Sequence, residues 1–265
     1  MVGKFTTSTC VKMIALIVSL LCVLVTSAKS TGTGISNAVD LSHPLSSETL
    51  MWDPNAKFNL TDKTLYENKT HFYAANQFSG PEHGGTHLDA PYHFHKQGWT
   101  VDQIPIERLI APGVYIDVSD KVKGNSNFEL LAEHLAEWEH NNGHITHGSV
   151  ILVNFGWSER YGNRTSYFGN STQPYSFPGI SEKAAGWMVS HGGIYGVGLD
   201  TPSTDPGKSQ TYPAHKMLCQ NSIYGIENLN FKGINLPPKG FNVIALPLKI
   251  KGGTGGPCRV VAMGL

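Results

Sequence analysis

The sequence predicts an α/β domain built on a mixed sheet, and three observations carry this. Val150-Ile151-Leu152-Val153-Asn154-Phe155 is an almost wholly apolar run of strand length, the pattern of a strand buried on both faces. Strand-like runs outnumber segments of helical spacing, the two kinds are interspersed, and no repeat of fixed period recurs. The 29 glycines and 15 prolines among 265 residues suit strands and turns better than a helical bundle. A chain of this length buries most of its apolar surface, and a single domain over residues 29 to 265 accommodates it.

Val39-Asp40-Leu41 opens that domain as a short strand, and Ser42 to Asn59 follows as a polar, proline-punctuated loop. His71 to Phe78 has strand character and delivers the chain to His83. After a short connection from Val101 to Leu109, Gly113 to Val118 is β-branched and bounded by turn residues, hence a strand. Asn127 is expected to cap a helix that turns Leu130, Leu131, Leu135 and Trp138 to the core and Glu133, Glu137 and His140 to water, with His134 and His140 solvated. Residues 150 to 155 form the central strand. Ser181 caps a second helix running through Ser190 and stopped by Gly192-Gly193, and Ile194 to Leu199 is a strand with Asp200 at its C-terminal end. His191 lies where a helix terminus favours a cation and is read as structural. Pro213 starts a helix through Leu218, and Ser222 to Ile226 returns as a strand into Glu227-Asn228-Leu229. Phe241 to Ile250 and Arg259 to Met263 close the chain as strands. The glycine-rich residues 251 to 257 between them lack the Gly-Lys-Ser/Thr ending of a phosphate loop and read as a mobile loop.

Lysine plus arginine equals aspartate plus glutamate at 20 each. Without a basic stripe nothing holds a phosphate backbone, which excludes nucleic acid as a partner. Lys4 and Lys12, the apolar run Met13 to Val25 and the small residues Thr26-Ser27-Ala28 read as a secretory signal over residues 1 to 28. That run falls short of the ~20 residues a spanning helix needs, so no stable membrane span is expected. Export is matched by four glycosylation acceptor patterns, at Asn59, Asn68, Asn163 and Asn170. Beyond the leader, Cys219 and Cys258 would form one disulfide or remain two buried thiols.

The densest chemistry lies in His83-Gly84-Gly85-Thr86-His87-Leu88-Asp89-Ala90-Pro91-Tyr92-His93-Phe94-His95. Imidazole and carboxylate are ligand types that suit zinc, manganese or iron, and the absence of cysteine argues against a thiolate cage. Gly84-Gly85 and Pro91 make a helix costly here. In an extended chain His87, Asp89 and His93 share a face, and the glycines let His83 curl back to join them. A solvated histidine-rich loop, a pH-sensing cluster and a metal-free His-Asp pair compete with the metal site. A serine triad is disfavoured because no Gly-x-Ser-x-Gly elbow occurs.

The run His83-x-Gly85-Thr86-His87-x-Asp89-x-Pro91-x-His93-Phe94 resembles the signature of the metal-dependent cyclase and kynurenine formamidase family, which includes isatin hydrolases. Leu199-Asp200-Thr201-Pro202-Ser203-x-Asp205 and Gly225-Ile226-Glu227-Asn228-Leu229 resemble two further blocks in the same order, so the likeness runs from Val39 to the C-terminus. The resemblance implies a mixed sheet of the swivelling β/β/α type, a homo-oligomer, and one or two divalent ions, zinc or manganese. By the same likeness His83, His87 and Asp89 hold the first ion, Asp89 with His215 and Glu227 a second, and His93 is the acid/base. An ion so held lowers the pKa of its water from 15.7 to about 7 and polarises a carbonyl, which points to amide hydrolysis of a small aromatic formamide or cyclic amide. Trp52, Phe78, Tyr92 and Trp157 are candidate walls for the aromatic ring, with Trp52 first because it lies in an irregular loop. His95 is expected only to neighbour the site. A secreted binding protein without turnover, and a lyase or cyclase using the same ion, are the alternative readings.

Overall fold

The computed structural model describes residues 37 to 264 except residue 171 and the side chain of Asp62, so the leader read over residues 1 to 28 lies outside the described residues. In chain order the elements are β1 (Ala38–Asp40), β2 (Asn59–Glu67), β3 (Phe72–Ser79), β4 (His87–Asp89), α1 (Ile106–Leu109), β5 (Ile110–Asp117), α2 (Ser119–Val122), β6 (Glu129–Leu130), α3 (Ala132–Asn142), β7 (Ser149–Asn154), α4 (Arg164–Phe168), β8 (Gly179–Ile180), α5 (Glu182–His191), β9 (Ile194–Leu199), α6 (Pro213–Gln220), β10 (Tyr224–Glu227), β11 (Lys239–Pro247) and β12 (Gly255–Met263). Among the described residues no helix is long and apolar enough to cross a membrane.

Strands β12, β11, β5, β7, β9, β10 and β4 pair in that order, and β4 also pairs with β12. The result is a mixed, barrel-like sheet of seven strands, with β1 added alongside β12. β5, β7, β9 and β10 run parallel to one another, while β4, β11 and β12 join antiparallel. The all-apolar run is the reason β7 can sit in the middle, since every residue of it is buried. Val150 and Leu152 pack with Tyr115, Ile226, Val243 and Val260 on one face. Ile151 and Val153 pack on the other with Leu135 of α3 and Met188 of α5. Burying each such side chain contributes about 1.5–3 kcal/mol, so a polar residue at either alternation would oppose this placement.

Ser181 caps α5 as expected, its hydroxyl accepting from the Ala184 N–H at 3.1 Å, and Gly192 ends the helix at φ 74°. Four expectations need correction. Asn127 caps nothing: Glu129 and Leu130 pair with β8 first, and α3 begins only at Ala132. Leu131 is therefore exposed, and His134 is not merely solvated, because its Nδ1 accepts the Leu131 N–H at 3.0 Å. Asn59, expected to end a polar loop, instead opens β2, which pairs with β3 as a hairpin exposed along most of its length. The glycine-rich segment is no mobile loop beyond residue 254, since Gly255, Gly256 and Pro257 belong to β12 and pair with Asp89, Leu88 and His87. Cys219 and Cys258 are separate buried thiols, with burial pushing the Cys219 thiol up to about 11. The four acceptor asparagines, Asn59, Asn68, Asn163 and Asn170, are all exposed.

Candidate metal centre

Short and wholly buried, β4 places His87 and Asp89 on one side and Leu88 on the other, where Leu88 joins the core. Before it, Gly85 adopts φ +61°, a conformation that favours glycine, and Gly84 lies where any Cβ would meet the Met51 sulfur at 2.3 Å. This turn brings His83 back over the strand, so its Nδ1 lies 2.6 Å from Asp89 Oδ1. After the strand, Pro91 to His93 form a single 3-10 turn, and the His93 ring stacks on the His83 ring at 4.1 Å. His93 thus reaches the site through a turn and not through strand alternation, which corrects the extended reading of this stretch.

The register places a glycine beside Asp89 on each side, Gly225 of β10 and Gly255 of β12. A Cβ on Gly255 would stand 2.7 Å from His83 Cε1 and 2.5 Å from the Leu88 carbonyl, so only glycine lets the imidazole lie down here. β10 also delivers Glu227 opposite His87, with His87 Nε2 3.5 Å from Glu227 Oε2 and 3.2 Å from Asp89 Oδ1. α6 supplies His215, whose Nε2 lies 3.1 Å from Glu227 Oε1 and 3.5 Å from Asp89 Oδ2. Six chemically competent side chains therefore meet: His83, His87, Asp89, His93, His215 and Glu227.

A neighbouring set of residues holds these orientations. Asp205 accepts the Ala214 and His215 backbone N–H groups at 3.0 Å each and faces His215 Nδ1 at 2.6 Å, leaving Nε2 to point inward. The Gly85 carbonyl, 2.9 Å from His87 Nδ1, does the same for His87. Thr254 Oγ1 lies 2.7 Å from His83 Nε2, and its hydroxyl donates to Glu82. Thr204 donates its backbone N–H to Glu227 at 2.8 Å. Asn228, in the left-handed region at φ 57°, accepts from the Tyr167 hydroxyl and donates to the Gly85 carbonyl, tying β10 to the turn before β4. Neither Thr254 nor Thr204 is marked as a site residue in the sequence, because threonine carries no signal of its own, and Asn228 enters only as part of a block that carries the resemblance. Replacing Asp205 by asparagine leaves one acceptor oxygen for three N–H donors and frees the His215 tautomer. Such partners typically control metal affinity by 10–100-fold, so an Asp205→Asn variant is expected to need 10–100 times more free Zn²⁺ for half occupancy, measured by competition with a chelator.

The electrostatics ask for positive charge. Burial opposes ionisation of Asp89, but the charges of His83 and His87 outweigh it and hold its carboxyl well below the ordinary range. Burial equally opposes protonation of His87, yet Asp89 and Glu227 push that imidazole up to about 9. For His215 burial is again overcome, by Asp205, Asp89 and Glu227, and the imidazole lies well above its usual value. His93 alone goes the other way: burial, joined by the neighbouring imidazoles, takes it down to about 4, although it keeps an exposed edge at the pocket mouth. Protons on His87 and His215 stand in for a charge the two buried carboxylates require. Asp89 Oδ2 is buried and makes no hydrogen bond at all, and such an orphan acceptor would be costly unless another partner reached it. Ligand atoms of His87, Asp89 and Glu227, and separately of His83, Asp89 and His93, lie within 4.8 Å of one another. A borderline-soft divalent ion fits this donor set.

The centre opens into a pocket of about 350 Å³ walled by Leu50, Trp52, Phe94, Phe168 and Tyr212. Trp52 is there as expected, wedged edge-on against Tyr175 at 5.0 Å, and Arg164 fixes its loop by donating to the Met51 and Trp52 carbonyls. Phe78 is not there. It sits on the exposed hairpin, stacked on Phe58 at 5.5 Å and lining a separate cavity, because the strand that carries it pairs only with β2. Trp157 is fully buried in the core and Tyr92 faces outward, so neither walls the pocket. Phe94, 4.6 Å from the His215 ring, takes the place the sequence assigned to those aromatics. Asp200 serves the scaffold: it accepts the backbone N–H groups of Phe155, Trp157 and Ser158.

Comparison with known proteins identifies the family. The Cyclase family model, described as "Putative cyclase", matches residues 39–206. Isatin hydrolase of Roseibium aggregatum is 34% identical over 208 residues, covering 75% of this chain and 78% of that protein. Kynurenine formamidase of Salinibacter ruber is 28% identical over 84% of this chain and 95% of its own length. The solved structure of isatin hydrolase A from Labrenzia aggregata, bound to benzyl benzoate, superposes with a TM-score of 0.79 at 33% identity, over 92% of this chain and 98% of that one. The chain belongs to the cyclase family.

Proposed function

We propose that this protein is a metal-dependent hydrolase that opens the C–N bond of a small aromatic amide, either an aryl formamide or a cyclic amide of the isatin kind. One observation carries the reading: four ligand-type side chains, His83, His87, His215 and Glu227, gather around Asp89, whose buried Oδ2 has no hydrogen-bond partner, with His93 at the pocket mouth. His83, His87 and Asp89 would hold one ion, and Asp89, His215 and Glu227 a second. A divalent ion supplies a water-derived nucleophile at neutral pH and polarises the scissile carbonyl. His93 then takes a proton at its free ring nitrogen and returns it to the departing nitrogen, the work of a general acid/base. Trp52 and Phe94 offer faces and edges to a flat ring, and a pocket of about 350 Å³ is at the small end for ligand sites, which favours one or two fused rings. The names of the relatives, isatin hydrolase and kynurenine formamidase, support the same substrate class. Chelation with EDTA is expected to abolish hydrolysis in a screen over formanilides, isatin and small lactones, and Zn²⁺ or Mn²⁺ to restore it. Unchanged rates after verified metal removal would reject the mechanism.

The proposal includes a homo-oligomer. Leu65, Phe72 and Tyr73 on the β2–β3 hairpin are each more than half exposed, a density of apolar surface that marks association. Light scattering on the purified protein is expected to give at least twice the monomer mass, and a monomer at micromolar concentration would reject this part.

A further inference from the structure

At a different place, where α3 and α5 both end, a second group of metal-type ligands is assembled. Glu139 lies in the last turn of α3, His191 is the final residue of α5, and His144 follows Gly143 just after α3. His144 Nδ1 lies 2.7 Å and His191 Nε2 3.3 Å from the same oxygen, Glu139 Oε1, and the three ligand atoms are all within 4.8 Å of one another. The two imidazoles stack at 4.8 Å with 23° between their planes.

We propose that Glu139, His144 and His191 form a binding site for one divalent transition-metal ion of the zinc or copper kind, separate from the centre around Asp89. Ligands held about 2.1 Å from a tetrahedral ion stand roughly 3.4 Å apart, so the 2.7 and 3.3 Å separations from Glu139 Oε1 each need a shift of under about an ångström. His144 can supply that shift, since its side chain is 77% exposed while that of His191 is 7% exposed. Two independent features favour a cation here. Both helices present their C-terminal, negative ends to the group. Two stacked imidazoles beside one carboxylate would repel each other if both were protonated, whereas one shared ion satisfies both lone pairs. His191 Nδ1 is buried without a hydrogen-bond partner. That orphan exists whichever tautomer the ring adopts, so metal at Nε2 adds no new unsatisfied group. The competing arrangement is a hydrogen-bond hub, in which Glu139 Oε1 also accepts the Ile145 N–H at 2.9 Å and holds the helix ends without metal.

The test is Zn²⁺ titration of the purified protein by equilibrium dialysis, run on wild type, His144→Ala, Glu139→Gln and Asp89→Ala. The expected result is one equivalent in wild type beyond those held at the Asp89 centre, which Asp89→Ala retains and which His144→Ala and Glu139→Gln weaken by at least tenfold, both keeping wild-type turnover. Cu²⁺ in place of Zn²⁺ should give a magnetic-resonance spectrum with nitrogen splitting that His144→Ala reduces. Equal Zn²⁺ stoichiometry and affinity in His144→Ala and wild type, with identical Cu²⁺ spectra, would overturn the site. So would an Asp89→Ala protein that binds no Zn²⁺.

Discussion

Asp89→Ala should remove ion binding at the pocket and turnover together. Asp89 is the one carboxylate that faces every other group of the centre: Oδ1 lies 2.6 Å from His83 and 3.2 Å from His87, and Oδ2 points toward His215 at 3.5 Å. Loss of an outer partner of a metal ligand typically costs 10–100-fold in affinity, and loss of a shared ligand is expected to exceed that. At least 100-fold, or about 2.7 kcal/mol, is anticipated for the ion. Truncation also strips buried His87 of its main counter-charge and His215 of one of its three, so a folding defect would mimic a metal defect. Asp89→Asn separates the two, because it keeps the volume between Gly225 and Gly255 and removes only the charge. Elemental analysis and rates on both variants, with circular dichroism as the folding control, check the expectation. A well-folded Asp89→Asn enzyme with full metal content and wild-type rate would sink the assignment of Asp89 as the bridging ligand.

What could be read from the sequence divides along a physical line. Strand β7 and helix α5 were legible because burial on both faces and a serine cap leave local marks, in Val150 to Val153 and in Ser181. Histidine clustering made His83, His87 and His93 conspicuous, whereas His215 and Glu227 stood out only through resemblance, since one histidine on a short helix and one glutamate at a strand end look ordinary. The residues that orient the centre were invisible for a stronger reason. Gly255 and Thr254 act through register: β12 pairs with β4 across more than 160 intervening residues, and that pairing alone puts a glycine beside Asp89 and a hydroxyl beside His83. No local composition rule reports a partner so far along the chain. Strand β3 was legible in His71 to Phe78 but its partner β2 was not, because neither face of Asn59 to Glu67 packs on the core and the apolar alternation that signals a half-buried strand is missing. Phe78 was misplaced for the same reason, being an aromatic whose strand has no neighbour in the main sheet.

His93→Ala should leave the ion in place and slow turnover by 10²–10⁴-fold, the usual contribution of a positioned acid/base and equivalent to about 3–5.5 kcal/mol of barrier. The geometry makes this a demanding test, because His93 lies close enough to His83 and Asp89 to be counted as a ligand on distance alone. Three features separate its role from theirs. It stands on the 3-10 turn after Pro91 and not on β4, it keeps an exposed edge at the pocket mouth, and among the imidazoles here it is the one whose basicity is lowered where those of His87 and His215 are raised. A group that stays neutral beside a cation retains a lone pair to accept a proton, whereas a group committed to the ion does not. Metal content then decides between the two roles. An alanine variant that keeps its metal and loses rate places the proton transfer on His93. One that loses its metal makes His93 a ligand, and one that keeps both removes it from the chemistry. In either of the last two cases the proton must reach the leaving nitrogen from elsewhere, and Tyr212, whose ring centroid lies 6.1 Å from that of His215 on the same pocket wall, is the side chain to replace next.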